Sequence, residues 1–248
     1  MTPRLSALAF VLASAQAFVG AAAGETRIRQ ENVHFAKGGS SAVIKGQLNG
    51  DAMVDYIVGA AAGQTLSVQL QRTNAQNYFN VMPPGSTGSA MFVGDSGGNY
   101  SGMLPTDGDY VVRVYLMRPA ARRGESSEYT LAIEVTGQPL SPIEPSQDAH
   151  VPGTSYHAAA KIKCIPPFEA TPRDCDAFVI RRGLDGTATV EVPSSIEKRS
   201  MLFVKGRPVA SNASATAAMT STRIADLTIV RIGEVERYEI PDALIAGV

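Results

Sequence analysis

The sequence has no tryptophan, two cysteines, three histidines and only 6% aromatic residues among its 248. Each scarcity excludes something. Cys164, Cys175, His34, His150 and His157 offer no second pair of ligands at metal-binding spacing, so no metal or cofactor is expected. A formal net charge of −1 gives no general attraction to nucleic acid or to an anionic membrane. No long segment carries a sustained 3.6-residue apolar period, which argues against a helical fold. No apolar run reaches the roughly 20 residues that span a bilayer.

The N-terminal stretch stands apart. Arg4 is the only charged side chain ahead of Glu25, and Leu5 to Val19 is apolar. It softens into Gly20-Ala21-Ala22-Ala23, whose small residues suit signal peptidase. Residues 1–23 are therefore expected to be a secretory signal peptide cut after Ala23. A cut at Ala13-Ser14-Ala15 would leave too short an apolar core. The remaining chain, about 225 residues, suffices for one large or two small domains. It is expected to work outside the reducing cytoplasm, without inserting into a membrane. In such a compartment Cys164 and Cys175 are expected to pair as a disulfide, the alternative being two free buried thiols.

What is abundant points to strands. Thr, Val and Tyr recur in short alternating runs, separated by Gly, Asn and Asp, as in an all-β protein rich in turns. Residues 138–153 read QPLSPIEPSQDAHVPG, and Pro139, Pro142, Pro145 and Pro152 keep them out of a helix or a sheet interior. This segment is expected to be a semi-rigid linker between residues 25–137 and 154–248. In the first unit strands are predicted near Ile28–Phe35, Ala42–Leu48, Val54–Gly59, Thr65–Gln71, Tyr78–Met82, Ala90–Val93, Asp109–Met117 and Tyr129–Val135. About eight short strands at this spacing predict an antiparallel β-sandwich. Apolar residues on both faces of Asp109–Met117 predict a central strand packed on both sides. The second unit is expected to be a smaller β-rich domain, with strands at Phe178–Arg182, Thr187–Val192, Met201–Lys205 and Leu227–Ile232. Gly183–Gly186 reads as a hairpin loop and Pro208–Thr222 as a flexible one.

Two strings suggest chemistry and fail on context. Gly94-Asp95-Ser96-Gly97-Gly98 matches a serine nucleophile signature. That nucleophile needs a histidine base and an oriented carboxylate, and only His34 lies upstream. The turn residues after Ser96 also exclude the helix of a hydrolase elbow. Asp95, Asp107 and Asp109 lack the spacing of a calcium loop, and Asp107-Gly108-Asp109 reads as a turn. The chain is thus expected not to be an enzyme. The more informative string is Arg118-Pro119-Ala120-Ala121-Arg122-Arg123-Gly124-Glu125, at the tip of a long hairpin. Pro119 suits the start of one helical turn, which would place Arg118 and Arg122 on one side. Guanidinium groups on a rigid loop suit carboxylates. A solvated loop that keeps the sheet edge soluble fits the same spacing.

The first unit resembles the periplasmic inhibitors of goose-type lysozyme. The resemblance runs through Val33-His34-Phe35-Ala36-Lys37-Gly38-Gly39-Ser40-Ser41-Ala42, Gly46, Gly50 and Ala60-Ala61-Ala62-Gly63-Gln64. It continues through Gly108-Asp109-Tyr110, Arg113-Val114, Arg118, Ala121-Arg122 and Tyr129. It implies a periplasmic protein whose arginine-bearing hairpin enters the acidic cleft of a g-type lysozyme, with Arg118 and Arg122 in contact and Arg123 at the rim. The chain departs from the family member compared at Asp51 and Met53, where tyrosines stand. The same unit is also similar to bacterial pre-peptidase C-terminal domains, which implies the alternative of a non-catalytic envelope module that binds glycan or protein.

Overall fold

A computed structural model describes residues 28–86, 88–94 and 98–247. The expected signal peptide lies outside the described residues, as do Asp95, Ser96 and Gly97 of the serine-like string.

Alternation of apolar and polar residues builds the first half. The strands are β1 (Ile28–Asn32), β2 (Ser41–Asn49), β3 (Met53–Ala60), β4 (Thr65–Arg72), β5 (Asn77–Met82), β6 (Phe92–Val93), β7 (Asn99–Met103) and β8 (Gly108–Leu116). One turn of helix, α1 (Arg118–Arg122), then leads into β9 (Ser126–Thr136). The strands form two sheets, in the orders β1-β3-β8-β5-β6 and β2-β9-β4-β7. Leu66, Val68, Leu131 and Ile133 of one sheet meet Val58, Phe79, Val112 and Val114 of the other, all fully buried. A side-chain period of two puts these residues on the facing surfaces. Each contributes roughly 1.5–3 kcal/mol by leaving water.

The expected sandwich is there, with differences in detail. Strand β7 was not anticipated, because Asn-Tyr-Ser-Gly-Met buries only Tyr100 and shows no apolar period. Among the described residues β1 and β3 form a parallel pair, so the sandwich is not wholly antiparallel. Strand β1 ends at Asn32 rather than Phe35, and His34 is exposed beyond it. Strand β8 is central, but packed on one side: Tyr110, Val112, Val114 and Leu116 are buried while Val111, Arg113 and Tyr115 are half-exposed. The second sheet covers only the inner face of β8.

The second half is one antiparallel sheet. It comprises β10 (Ala158–Ile165), β11 (Arg173–Arg181), β12 (Ala188–Pro193), β13 (Lys198–Val204), β14 (Arg207–Ser211), β15 (Met219–Ile224), β16 (Leu227–Ile232) and β17 (Glu236–Pro241), followed by α2 (Asp242–Ala246). The order is β14-β13-β12-β11-β10-β17-β16-β15, and its two end strands approach within 8 Å, so the sheet curls into a near-barrel. The loop expected over Pro208–Thr222 is instead largely β14 and β15. Pro208 sits beside a bulge on the edge strand β14, where a missing N–H is tolerated. Cys164 and Cys175 are joined by the expected disulfide, which ties β10 to β11.

The Pro-rich segment 138–153, expected as a semi-rigid linker, has no strand or helix and is hydrogen-bonded to both units. Leu140 N–H donates to Ala62 O at 2.9 Å and Ile143 N–H to Arg181 O at 2.9 Å. Asp148 accepts from Arg181 at 2.9 Å. The prolines exclude a strand, yet the residues between them keep their donors and use them. Beside this segment Arg182, whose side chain is 0% exposed, bonds Asp107 across the joint through both Nη atoms at 3.2 and 3.0 Å. Thr189 Oγ1 donates to Pro105 O at 2.8 Å, and Ala62 packs on Leu202 and Ala210.

Candidate functional site

The β3–β4 turn and the β7–β8 turn meet the second unit, so α1 lies at the opposite end of the sandwich. Strand β8, which runs between the two ends, spans roughly 30 Å at about 3.3 Å per residue. At the far end three connections converge: the Asn49–Asp51 turn, the Thr73–Gln76 loop and the 117–125 segment. The last is not the hairpin tip expected from the sequence, because β8 pairs with β3 and β5 in one sheet and β9 with β2 and β4 in the other, so it crosses from sheet to sheet.

The helical turn is fixed by its backbone. Met117 N–H donates to Gln76 O at 2.9 Å, and Ala121 N–H to Met117 O at 3.0 Å. Pro119 occupies the first turn, where its missing N–H costs nothing. Ala120 is fully buried in the sandwich core and anchors the turn from below. Gly124 takes φ +68°, the left-handed value that ends a helix. Glu125 N–H then returns to Ala120 O at 3.2 Å, and Gly50 N–H reaches Glu125 O at 2.9 Å.

On this locked turn the three arginines differ. Arg123 Nε donates to Glu125 Oε1 at 2.7 Å, and Asn74 Nδ2 donates to Glu125 Oε2 at 2.8 Å. The Asn74 amide, and then the Arg123 guanidinium, hold the Glu125 carboxyl below the usual carboxylate range. Arg118 and Arg122 are exposed, and neither makes an ion pair or side-chain hydrogen bond among the described residues. The structure therefore brings the three residues together but engages one of them internally.

The surroundings of the turn include Met53, one of the two departures from the family, and two tyrosines the sequence did not single out for a site. Met53 opens β3 directly opposite Tyr115, and Tyr115 lies opposite Tyr78 on β5. The Arg72 guanidinium sits 4.8 Å from the centre of the Tyr78 ring. The face beside Met53 thus carries two half-exposed tyrosines contributed by neighbouring strands. Next along that face Arg113 makes a bidentate pair with Asp55, at 2.7 and 2.9 Å. Cross-strand register creates these neighbours, and no local sequence pattern reports it. A shallow hollow of about 650 Å³ on this unit includes Lys45, Arg72 and Glu128; none of the three arginines lines it.

Two residues of the family string now have a physical reason. Gly46 lies opposite Tyr129, and a Cβ on Gly46 would stand 2.4 Å from the Tyr129 ring. The glycine admits the ring, whose hydroxyl meets Tyr56 Oη at 2.7 Å. The inhibitor of g-type lysozyme of Escherichia coli K12 is 33% identical to this chain over 109 residues, 79% of that protein's length and 42% of this one.

This chain belongs to the family of g-type lysozyme inhibitors.

The resemblance read from the sequence is borne out on that relationship. No family model matches the chain. Among solved structures, the Aeromonas hydrophila periplasmic lysozyme inhibitor of g-type lysozyme is 37% identical, with a TM-score of 0.43 over 44% of this chain and 98% of that one. The Salmonella Typhimurium protein of the same description is 26% identical, with a TM-score of 0.35 over 44% and 98%. The pre-peptidase C-terminal domain of a Bacillus anthracis collagenase is 14% identical, with a TM-score of 0.33 over 45% and 99%. The inhibitor family therefore accounts for a length that fits one of the two β units and leaves more than half of this chain outside it.

Proposed function

We propose that this chain is a periplasmic, non-catalytic inhibitor of g-type lysozyme, and that Arg118 and Arg122 enter the lysozyme cleft. The observation that carries the reading is the pair of exposed, unengaged guanidinium groups on a turn whose backbone is locked without them. Family membership supports the target, and the relatives described as periplasmic support the compartment. The signal-like N-terminal sequence and the Cys164–Cys175 bridge agree with export.

The chemistry follows from spacing. Residues four apart on a helical turn place their Cβ atoms about 5–6 Å from each other. Glycosidases hold their working carboxylates about 5–9.5 Å apart across the scissile bond. Two planar guanidinium groups can each take one carboxylate, and bidentate pairing offsets the desolvation of both charges. Arg123 is bound to Glu125, so it stiffens the turn and contributes at the rim. Tyr115, Tyr78 and Met53 supply apolar contact on the face beside this end of β8.

The test is a muramidase assay with a g-type lysozyme. Wild-type chain is expected to inhibit at micromolar concentration or below. Arg118→Ala with Arg122→Ala removes two charge-assisted contacts worth about 1.5–3 kcal/mol each, a loss of at least about 100-fold in the inhibition constant. An inactive wild type would overturn the function. Unchanged inhibition by the double variant would overturn the site alone.

A further inference from the structure

The β10–β11 hairpin presents a feature that lysozyme inhibition does not use. Its base is closed by the Cys164–Cys175 disulfide. Pro166 and Pro167 restrict its entry, and Arg173 grips Glu169 through Nε and Nη2 at 2.8 and 3.0 Å. On this stiff loop Phe168 stands 79% exposed, with φ +64°, a region bulky residues rarely occupy.

Phe168 is not an isolated surface apolar residue. It lines a hollow of about 380 Å³ together with Val235 of the β16–β17 turn, which is 51% exposed. An adjoining hollow of about 270 Å³ is lined by Ile196, 56% exposed, and shares Ser89, Glu197 and Asn212 with the first. Ser89 comes from the sandwich and the others from the second unit, so the recess opens at the joint. Scattered exposed apolar side chains are ordinary, whereas three bordering two adjoining hollows make a clustered apolar rim.

The walls of the recess carry a surplus of negative charge. Arg199, 3% exposed, is held by Glu236 through two bonds of 2.8 Å, by Glu197, and by Asn212 Oδ1 at 3.0 Å. Two carboxylates thus share one guanidinium. Glu234 lines the same hollow and makes no ion pair among the described residues, while Lys198 is engaged by Glu191 at 2.8 Å. An apolar rim over surplus carboxylates complements a bulky apolar side chain flanked by cations.

We infer that this recess docks a segment of a protein partner in which a large apolar side chain is flanked by lysine or arginine. The recess and α1 lie at opposite ends of the sandwich, roughly 30 Å apart along β8. Docking here therefore neither uses nor blocks Arg118 and Arg122, and it stands whether or not the chain inhibits lysozyme.

Because the chain has no tryptophan, a peptide's own tryptophan reports binding. The full chain is titrated into a short peptide of lysines flanking one tryptophan and one leucine, with a glutamate-for-lysine peptide as control. The expected result is a saturable blue shift for the lysine peptide, absent for the glutamate peptide. Affinity is expected to fall at least ten-fold in Phe168→Ser and in Glu234→Lys, and to persist in Phe168→Tyr and in Arg118→Ala with Arg122→Ala. Phe168 and Glu234 are exposed, so both variants should fold, which circular dichroism checks. No saturation below 1 mM, equal affinity in Phe168→Ser, or equal affinity for the glutamate peptide would overturn the inference. So would saturable binding of a peptidoglycan fragment with none of the peptide, which would make the recess a glycan site.

Discussion

The two ends of the sandwich treat their arginines in opposite ways. At the joint Arg182 is wholly enclosed and brings its partners with it: both Asp107 oxygens, Thr189 Oγ1 at 2.9 Å and Leu140 O at 2.5 Å. At the far end Arg118 and Arg122 stand in solvent on a turn whose backbone bonds are complete without them. A buried guanidinium must be paired or the fold loses stability. An exposed one costs nothing to leave unpaired, so its presence on a rigid turn is free to serve another molecule. The comparison separates arginines that hold the structure from arginines that the structure holds.

The largest effect should come from breaking the joint. Asp107→Ala strands Arg182 without its carboxylate and should cost about 3 kcal/mol, the low end for a broken buried pair, since Asp107 is itself part-exposed. Urea denaturation measures this, and the folded fraction should still inhibit lysozyme. Arg118→Ala with Arg122→Ala should give the mirror image, with stability within about 0.5 kcal/mol of wild type. A similar stability loss in both variants would erase the distinction.

Next in size is the bed on which the far end rests. Gly46→Ala drives a methyl group into the Tyr129 ring and strains the Tyr56–Tyr129 hydroxyl contact. Overpacking of this kind costs about 1–3 kcal/mol. Thermal unfolding should fall accordingly, and a neutral Gly46→Ala would mean that the ring has room to move.

The smallest effect concerns the clamp beside the arginines. Glu125 has a depressed folded pKa, so its contribution is present above the ordinary value of 4.5 and lost as pH falls through the folded value. The Asn74 side-chain amide should therefore shift in NMR spectra only below pH 4.5, and Glu125→Gln should abolish that titration. Inhibition by Glu125→Gln should weaken by a few-fold at most. Midpoint behaviour at the ordinary carboxylate value would show that the clamp does not form in solution.

Legibility from sequence followed the strength of the local pattern. Strand β16 was found at its bounds because Leu227–Ile232 is apolar and sharply bordered. The Pro119 turn was found because proline fixes a backbone angle whatever surrounds it. Strand β15 was missed since Met-Thr-Ser-Thr-Arg-Ile is exposed along its length and exists only through its pairing with β16. Strand β10 was missed because its alanines carry little β preference. Asp107 reads from the sequence as a turn former, but its carboxylate instead accepts from the Ala62 N–H and from Arg182, 75 residues away in sequence.

The sequence alone determined the all-β class, most of the turns in the first unit and the presence of three arginines on one connection between strands. These depend on residues near one another along the chain: side-chain period, glycine at left-handed positions and proline at a helix start. Only the tertiary structure decided which arginine is already engaged, that β14 and β15 form where a loop was expected, and that Phe168, Ile196 and Val235 border two adjoining hollows. Those facts depend on register and on the meeting of separate elements, which is set by burial over the whole molecule rather than by any local string.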